Sequence, residues 1–209
     1  MTGLRERKKM ETRQHIADTA AKLFGERGFE AVTVDEVAEA ATVSKKTVFN
    51  YFPTKEDLVF DRAEERNEDL LRTVRDRPTG QPLTEAFRDR MLRYLDHLRT
   101  QPHLFQRGSV GDLINSSPAL QRRAREMHHQ SVRIVAAELA KVTGSPATDP
   151  VGLVVAQSLL GAHHMLFREV QRLLAEGCTP AQAANAVEPD AYRVFDLLAG
   201  GIKDYARND

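Results

Sequence analysis

The chain has 209 residues, of which 41% are hydrophobic, enough to bury a core in one large or two small domains, and this composition excludes a disordered chain. Its 30 basic and 30 acidic residues balance, which excludes a globally basic nucleic-acid-binding protein, so any DNA-binding surface must be local. The sequence has one cysteine, Cys178. We recognise no secretory signal in it and expect no apolar segment long enough to span a bilayer. These features predict a protein of the reducing cytoplasm.

The N-terminal segment is basic at first and then follows a helical pattern. Residues 1–9 carry several cations and no hydrophobic period. Such an arm either contacts phosphates or a minor groove, or serves as a solubilising tail. Between Met10 and Arg27 the apolar residues recur at helical spacing, and Gly28 is a stop signal. We therefore predict a first helix that supports the segment after it.

The most informative segment extends from Thr33 to Leu58. Thr33 and Glu36 have the spacing of a capping box, in which a hydroxyl and a carboxylate satisfy free backbone N–H groups at a helix start. Ser44 is a good N-cap for a second short helix, and Pro53 ends it. These signals predict a helix-turn-helix module. The apolar residues expected to face inward are Val34, Val37, Ala38, Ala41, Val48, Phe49 and Phe52.

The other face of the second short helix is hydrophilic and cationic. No acidic residue lies between Ser44 and Lys55, so the helix offers cations and hydrogen-bonding groups of a width that a major groove accepts. The alternative interpretation is a solvated helix face that carries two lysines by chance. The polar residues of this face are Lys45, Lys46, Thr47 and Asn50.

A pattern of apolar, small and polar residues extends over roughly residues 10–58. Its members are Ile16, Ala20, Ala21, Leu23, Phe24, Gly28, Phe29, Thr33, Val34, Val37, Ala38, Ala41, Val43, Ser44, Thr47, Tyr51, Phe52, Lys55, Glu56 and Leu58. In these residues the sequence resembles the TetR (tetracycline-repressor-like) family of transcriptional regulators. Thr42 and Lys46 depart from the family pattern, since glycine is common at both places. A β-branched residue at a turn position that favours positive φ costs on the order of 1 kcal/mol, so we expect a slightly altered turn.

The resemblance and the residue pattern together lead to one functional interpretation. They imply an all-α fold with an N-terminal three-helix helix-turn-helix DNA-binding domain and a C-terminal helical bundle for dimerisation and ligand binding. They also imply a homodimer that binds a palindromic double-stranded DNA operator, most often as a repressor released by a small apolar or amphipathic molecule. The residues expected to bind DNA are Thr33, Ser44, Lys45, Lys46, Thr47, Asn50, Tyr51 and Lys55.

Three sections are predicted along the chain: a DNA-binding domain over residues 1–53, a connecting helix over 54–77, and a ligand-binding and dimerisation domain over 78–209. Thr54 with Asp57 three residues later is a second cap, which places the start of the connecting helix there. A segment rich in proline and glycine follows it. Beyond that break every pattern is helical, and no alternation indicates a strand.

The most apolar predicted helix covers 151–176, with hydrophobic residues on nearly every side. Such a helix must be covered all round, so we predict that it forms a two-fold four-helix interface with the last helix of each chain. Burial of both helices inside a monomer is the alternative. The interface residues expected are Leu160, Phe195, Leu198 and Ile202.

The family resemblance also implies a ligand chamber in the C-terminal domain. Adaptable and aromatic residues with a few polar tips lie on stripes expected to face the core, although each alone is also typical of ordinary core. His163 shares a stripe with apolar residues, so its ring should point inward. The chamber residues expected are Met91, Tyr94, Phe105, Met127, His163 and Phe167.

No metal, cofactor or catalytic site is expected. His128–His129 and His163–His164 are neighbouring pairs, and since neighbours on a helix diverge by about 100°, at most one member of each pair could contribute to a metal site. No phosphate-binding glycine loop, nucleophile elbow or metal-binding helix motif is present in the sequence. Two other functions remain as alternatives: a helical ligand-binding or signalling dimer without a functional operator, and a small helical enzyme.

Overall fold

The structure, a computed structural model, describes residues 3–102 and 110–202. In these ranges the regular secondary structure is helical, and none of the described residues lies in a strand. The all-α prediction is therefore confirmed. The loops that lie within the described residues are short, and a 3₁₀ turn follows the third helix. The elements are α1 (Leu4–Arg27), α2 (Val34–Ala40), α3 (Lys45–Tyr51), the 3₁₀ turn Glu56–Leu58, α4 (Ala63–Arg75), α5 (Leu83–Thr100), α6 (Val110–Ser116), α7 (Pro118–Thr143), α8 (Pro150–Ala175) and α9 (Pro180–Ile202).

Two compact units divide the described residues. The first contains residues 3–63 and 110–124, and the second contains 64–102 and 125–202. Helix α7 thus begins in the first unit and ends in the second. This division by packing differs from the expected boundaries after residues 53 and 77, because α6 and the first turns of α7 pack with the N-terminal helices.

The core of the first unit is built on α1, as the helical stripe predicted. Ile16, Ala20 and Phe24 are buried, and the rings of Phe24 and Phe29 lie with their centroids 5.2 Å apart. Gly28 ends α1 with a φ of 82° and donates its N–H to the carbonyl of Phe24 at 2.8 Å. Glycine adopts this backbone conformation without a Cβ clash, so the chain turns sharply into the next segment.

The connecting helix predicted from residue 54 was wrong at its start. The Thr54–Asp57 cap forms, with the Asp57 N–H donating to the Thr54 hydroxyl at 3.3 Å, but it closes only the 3₁₀ turn. Leu58, Val59 and Phe60 are all buried. Three consecutive residues of an α-helix spread over about 200° of its circumference, so the chain leaves the helical path to bury all three. Helix α4 begins at Ala63.

In the second unit, α5, α8 and α9 form the centre of the core, with contributions from α4 and α7. Phe87, Met91 and Leu95 of α5 are fully buried, as is Leu159 of α8. Asp149 caps α8 by accepting the Val151 N–H at 3.0 Å, with proline at the first helical position. This is the helix start that the sequence predicted.

Helix α8 contradicts one expectation from the sequence. Its length and composition alone are sufficient for it to cross a membrane, so the expectation that the chain contains no such segment was wrong. A core helix of a helical bundle meets the same criterion, and α8 contributes Val155, Ala156 and Val170 to the buried core. Only 33% of its most apolar stretch is buried within the chain, which leaves apolar surface uncovered.

The expected interface residues divide into two groups. Leu160 and Phe195 are buried within their own unit, so their assignment to direct contact with a second subunit needs correction: both fill the core between α8 and α9 and their neighbours. Leu198 and Ile202 are only partly buried and pack on the edge of that core. The apolar residues that stand exposed on these helices are Val151, Val154, Met165, Tyr192 and Leu197.

Candidate functional site

The helix-turn-helix begins with the predicted capping box. The Glu36 N–H donates to the Thr33 hydroxyl at 3.2 Å, and the Thr33 N–H donates to Glu36 Oε2 at 2.7 Å. The hydrogen bond from the Thr33 backbone, followed by one from the Arg27 guanidinium, lowers the pKa of Glu36 to about 2. The carboxylate is therefore ionised at neutral pH, and the start of α2 is held by two reciprocal hydrogen bonds.

The turn between α2 and α3 contains Thr42 at a φ of 56°, the single non-glycine residue with positive φ in the described part of the chain. The turn keeps its hydrogen bonds, with the Thr42 N–H donating to Glu39 at 3.0 Å and the Val43 N–H donating to Ala38 at 2.9 Å. The departure from glycine at this position therefore places a β-branched side chain in a left-handed conformation. The strained residue therefore lies in a turn whose backbone hydrogen bonds are formed.

Replacing this threonine by glycine should stabilise the protein. We expect Thr42→Gly to raise the free energy of unfolding by about 1 kcal/mol, because glycine has no Cβ to clash in the left-handed region. Urea denaturation followed by circular dichroism measures the change. Ala40→Gly, in the helical conformation two residues earlier, is the control and should be destabilising. A loss of stability in both variants would contradict the strain at Thr42.

Helix α3 is held by its cap and by its inner face. The Ser44 side chain accepts the Thr47 N–H at 3.0 Å, and Val48 and Phe52 are buried. Phe49, which the sequence placed on the inner face, is 41% exposed. It lies one residue beyond the buried stripe, so a 100° rotation carries it toward the polar face. Phe49 is therefore a surface residue of α3, contrary to the expectation from the sequence.

The polar face of α3 presents a cation, an amide and an ion pair. Lys46 and Asn50 are exposed, whereas Thr47 is half-buried. Lys45 is exposed too, but its ammonium lies 2.7 Å from Asp35 Oδ2 on α2. An ion pair between two exposed groups is weak, so Lys45 can exchange Asp35 for another anion. The sequence did not predict this pair, since its partners are ten positions apart.

Two of the remaining expected DNA-binding residues, Thr33 and Lys55, hold the shape of the module. Lys55 donates its ammonium to the Phe29 carbonyl at 2.6 Å and lies 4.2 Å from the centroid of the Phe29 ring. Burial lowers the pKa of Lys55, opposed by the charges of nearby glutamates. The Thr33 hydroxyl is engaged in the capping box, and Tyr51 is half-buried. The Lys55 side chain therefore points into the first unit, whereas the sequence predicted that it would point toward a DNA phosphate.

Residues far along the chain brace the helix-turn-helix. The Arg123 guanidinium of α7 donates to Asp57 Oδ1 from two nitrogens, at 2.8 and 3.2 Å. The Ser117 hydroxyl donates to Glu30 at 2.6 Å. Both contacts lie within the first unit, so the start of α7 is fastened to the segments that precede α2 and follow α3. Sequence reasoning missed these contacts because the partners are separated by 66 and 87 positions.

In the second unit the structure brings part of the expected chamber together. The rings of Tyr94 and Phe167 lie 5.5 Å apart, and His163 Nε2 is buried without a hydrogen-bond partner among the described residues. Met91 is fully buried in the core and Met127 is half-buried. Phe105, also expected there, lies outside the described residues.

One histidine from each of the two neighbouring pairs lies close to one histidine of the other pair. The rings of His128 and His164 lie 5.1 Å apart, on α7 and α8. Within residues 3–102 and 110–202, no group of three or more histidine, cysteine or acidic side chains is arranged to hold a metal ion. Two neighbouring imidazoles alone do not complete the four-ligand set typical of structural zinc.

Two family models match consecutive stretches of the chain. The model described as "Bacterial regulatory proteins, tetR family" matches residues 16–61, and the "MftR C-terminal domain" matches residues 81–175. The first covers α2, the turn and α3 with most of their support. Together with the capped, outward-facing α3, these matches define a helix-turn-helix DNA-binding transcriptional regulator.

Named relatives extend the match. The chain is 32% identical to the transcriptional regulator TcmR of Streptomyces glaucescens over 143 residues. These residues cover 65% of this chain and 63% of TcmR, so the match spans less than two thirds of TcmR. It is 27% identical to the putative mycofactocin biosynthesis transcriptional regulator MftR of Mycobacterium tuberculosis over 198 residues, 94% of this chain and 93% of that protein. The chain belongs to the TetR family of bacterial transcriptional regulators.

A solved structure shares the fold. NalD of Pseudomonas aeruginosa, described as the secondary repressor of the MexAB-OprM multidrug efflux pump, aligns with a TM-score of 0.59 over 90% of this chain and 96% of NalD, at 20% identity. At that identity the likeness establishes the fold, with an N-terminal helix-turn-helix and a C-terminal helical domain.

Proposed function

We propose that this protein is a repressor that binds a palindromic operator as a homodimer in the cytoplasm and is released from it by a small molecule. The observation that carries the proposal is the surface of α3, where exposed Lys46, Asn50 and Phe49 stand on a helix whose opposite face is packed and whose start is capped. A rigid helix with an exposed polar face is what major-groove reading requires.

Each groove-facing residue has a role that follows from its chemistry. Lys46 donates to guanine acceptors and Asn50 pairs with adenine, while Phe49 offers an apolar surface to a thymine methyl group. Ser44, Lys45 and Thr47 contact backbone or base edges at the start of α3, with Lys45 released from Asp35. We assign Thr33, Tyr51 and Lys55 to holding α3 in position, since the ammonium of Lys55 already binds a backbone carbonyl.

The dimer is proposed to form on the uncovered apolar surface of α8 and α9. Val154 and Met165 are separated by eleven positions, which is three helical turns, so they lie on one face of α8. Both are more than 60% exposed, and Leu197 of α9 is 79% exposed. Exposed apolar residues concentrated on two helices are typical of an interaction site. A two-fold dimer presents two α3 helices to half-sites about one helical turn apart or somewhat more.

Release is proposed to be a population shift. A molecule that binds better to a conformation whose two heads are wrongly spaced lowers operator affinity by its differential binding energy. Helix α7 is suited to report such a change, because Arg123 fastens its start to Asp57 in the first unit and the remainder belongs to the second unit.

Selection of preferred duplexes from a random pool tests the proposal. Purified full-length protein is expected to enrich a palindrome with half-sites about one turn apart, and matches to it upstream of genes identify the regulated operon. Enrichment of no sequence, with a well-folded dimer, would instead support a ligand-binding or signalling dimer that lacks a functional operator.

The Lys45–Asp35 ion pair gives a prediction about affinity. Asp35→Asn removes the anion that competes with phosphate for Lys45, so we expect operator affinity to rise by roughly two- to tenfold at low salt, with a steeper salt dependence. Fluorescence anisotropy with the selected duplex measures both. Glu39→Gln removes the same charge from α2 without touching the pair and should have the smaller effect. If both variants gained operator affinity equally, the gain would come from the change in net charge and not from breaking the Lys45–Asp35 ion pair.

A further inference from the structure

A polar ladder crosses the apolar core of the second unit. We define it as Arg90 and Tyr94 of α5 with His163, Phe167 and Gln171 of α8. The members on each helix are four positions apart, so they lie on one face. The Tyr94 and Phe167 rings are 5.5 Å apart, the Gln171 amide donates to the Tyr94 hydroxyl at 3.5 Å, and the charge of Arg90 acts on His163.

The ladder contains buried polar atoms that the described residues leave unpaired. They are Nε2 of His163, Oε1 of Gln171 and Nε of Arg90. Fully buried Met91 and Leu159 belong to the same two helices. Burying unpaired polar groups among apolar side chains is costly, and buried polar groups are normally hydrogen-bonded. Three such atoms on two contacting helices indicate that the ladder is built for a molecule that completes their hydrogen bonds.

The charge of Arg90, the ionised member of the ladder, is balanced by a residue outside the ladder. Arg90 is ion-paired with Asp69 of α4. Burial, aided by the charges of Arg90 and His164, lowers the pKa of His163 to about 3, and burial raises the pKa of Tyr94. At neutral pH the imidazole and the phenol are therefore both neutral. A charged molecule would enter this site without a free counter-charge, which is unfavourable in an apolar core.

The positions of the unpaired atoms also limit the shape of the ligand. His163 and Gln171 are eight positions apart, about 12 Å along a helix, with Phe167 between them. The Gln171 end offers an acceptor, because the unpaired atom is a carbonyl oxygen. The Arg90 end offers an N–H donor. A surface cleft of about 280 Å³ between α4 and α5 is lined in part by Asp69, the ion-pair partner of Arg90.

We propose that the polar ladder binds an uncharged, elongated aromatic molecule with a hydroxyl group near each end. One hydroxyl donates to Gln171 Oε1, the other accepts from Arg90 Nε and donates to His163 Nε2, and the rings lie against Tyr94 and Phe167. The inference rests on the proposed function for the consequence of binding, because such a molecule would be the one that releases the operator. Its recognition depends only on the ladder.

A matched series of biphenyl compounds tests the ligand class by calorimetry on the full-length protein. 4,4′-Biphenol has a hydroxyl at each end of a rigid two-ring frame, 4-phenylphenol has one, biphenyl has none, and biphenyl-4,4′-dicarboxylate is charged at both ends. We expect 4,4′-biphenol to bind at least tenfold tighter than each of the other three. Tighter binding of the dicarboxylate, or no detectable binding of 4,4′-biphenol, would overturn the assignment.

Two variants separate recognition from structure. Gln171→Leu should lose the preference for 4,4′-biphenol over 4-phenylphenol and should melt at a higher temperature, because it removes an unpaired buried carbonyl. Thr84→Val is the matched control, since its hydroxyl is also buried and unpaired but lies outside the ladder. It should melt higher and keep the preference. If Gln171→Leu keeps the preference, the ladder does not read the hydroxyl.

The same samples distinguish failure of this inference from failure of the proposed function. Wild-type protein that binds the selected duplex but not 4,4′-biphenol retains the regulator assignment and loses the ligand class. Wild-type protein that binds 4,4′-biphenol with the expected preference but enriches no duplex loses the regulator assignment and keeps the ligand class.

Discussion

Lys46→Glu is expected to lower operator affinity at least a hundredfold. The side chain is exposed on the polar face of α3, and in a dimer it occurs once in each half-site. A lost base contact costs about 1–3 kcal/mol, so two lost contacts alone correspond to roughly 2–6 kcal/mol. The reversed charge adds repulsion from phosphate. Fluorescence anisotropy with the selected palindrome measures the loss, and thermal denaturation should show an unchanged fold.

Lys22→Glu is the matched control for charge. Lys22 is exposed on α1 in the same unit, so the substitution changes the net charge equally without altering α3. We expect a loss of affinity that disappears as salt is raised, because a long-range charge effect is screened. Lys46→Glu should also change which duplexes are preferred. Equal losses from the two variants on every duplex would remove Lys46 from the reading surface.

Local signals predicted the helix-turn-helix well. The Thr33–Glu36 box, the Ser44 cap and the Asp149 cap each need only a side chain and a backbone N–H within three positions. Such contacts are determined by sequence spacing and helix geometry. The positive φ of Thr42 agrees with the glycine that the family pattern commonly has at this turn position.

Contacts across the fold account for what the sequence did not predict. The ammonium of Lys55 turns inward because the Phe29 carbonyl and ring are brought to it from 26 positions away. Lys45 meets Asp35 only because the turn brings α2 and α3 together. In the second unit the ladder adds Gln171 and Arg90 to Tyr94 and His163. Periodicity identified the faces of these helices, but it does not determine which face meets which.

The start of α4 shows where local and tertiary preferences conflict. The Thr54–Asp57 spacing favours a helix start and the cap is formed, yet the helix is delayed to Ala63. Burial of Leu58, Val59 and Phe60 outweighs continuation of the helix, because each buried apolar side chain of this size contributes about 1.5–3 kcal/mol. A capping pattern predicts where a helix can begin, and the following apolar residues decide whether it continues.

A substitution on the proposed dimer surface of α8 and α9 is expected to abolish dimerisation and to weaken operator binding strongly. Leu197→Arg is expected to convert the protein to a folded monomer at micromolar concentration, with the melting temperature lowered only by the lost contribution of dimerisation. Leu197 is 79% exposed in the single chain, so arginine is tolerated there, whereas a two-fold interface would bury two unpaired guanidinium groups. Analytical ultracentrifugation measures the mass. Operator affinity should fall about a hundredfold or more, because linking two heads raises affinity by roughly 10²–10⁴.

Phe195→Ala is the informative comparison, because the sequence placed Phe195 in the same interface. The ring is buried within its own unit, two positions from Leu197 along α9. Truncating a buried phenylalanine costs about 3–5 kcal/mol, so this variant should lose stability in urea denaturation, and any folded protein should still sediment as a dimer. If Leu197→Arg remained a dimer with full operator affinity, the exposed face of α8 and α9 would not be the interface, and the two DNA-binding heads would have to be paired by another surface.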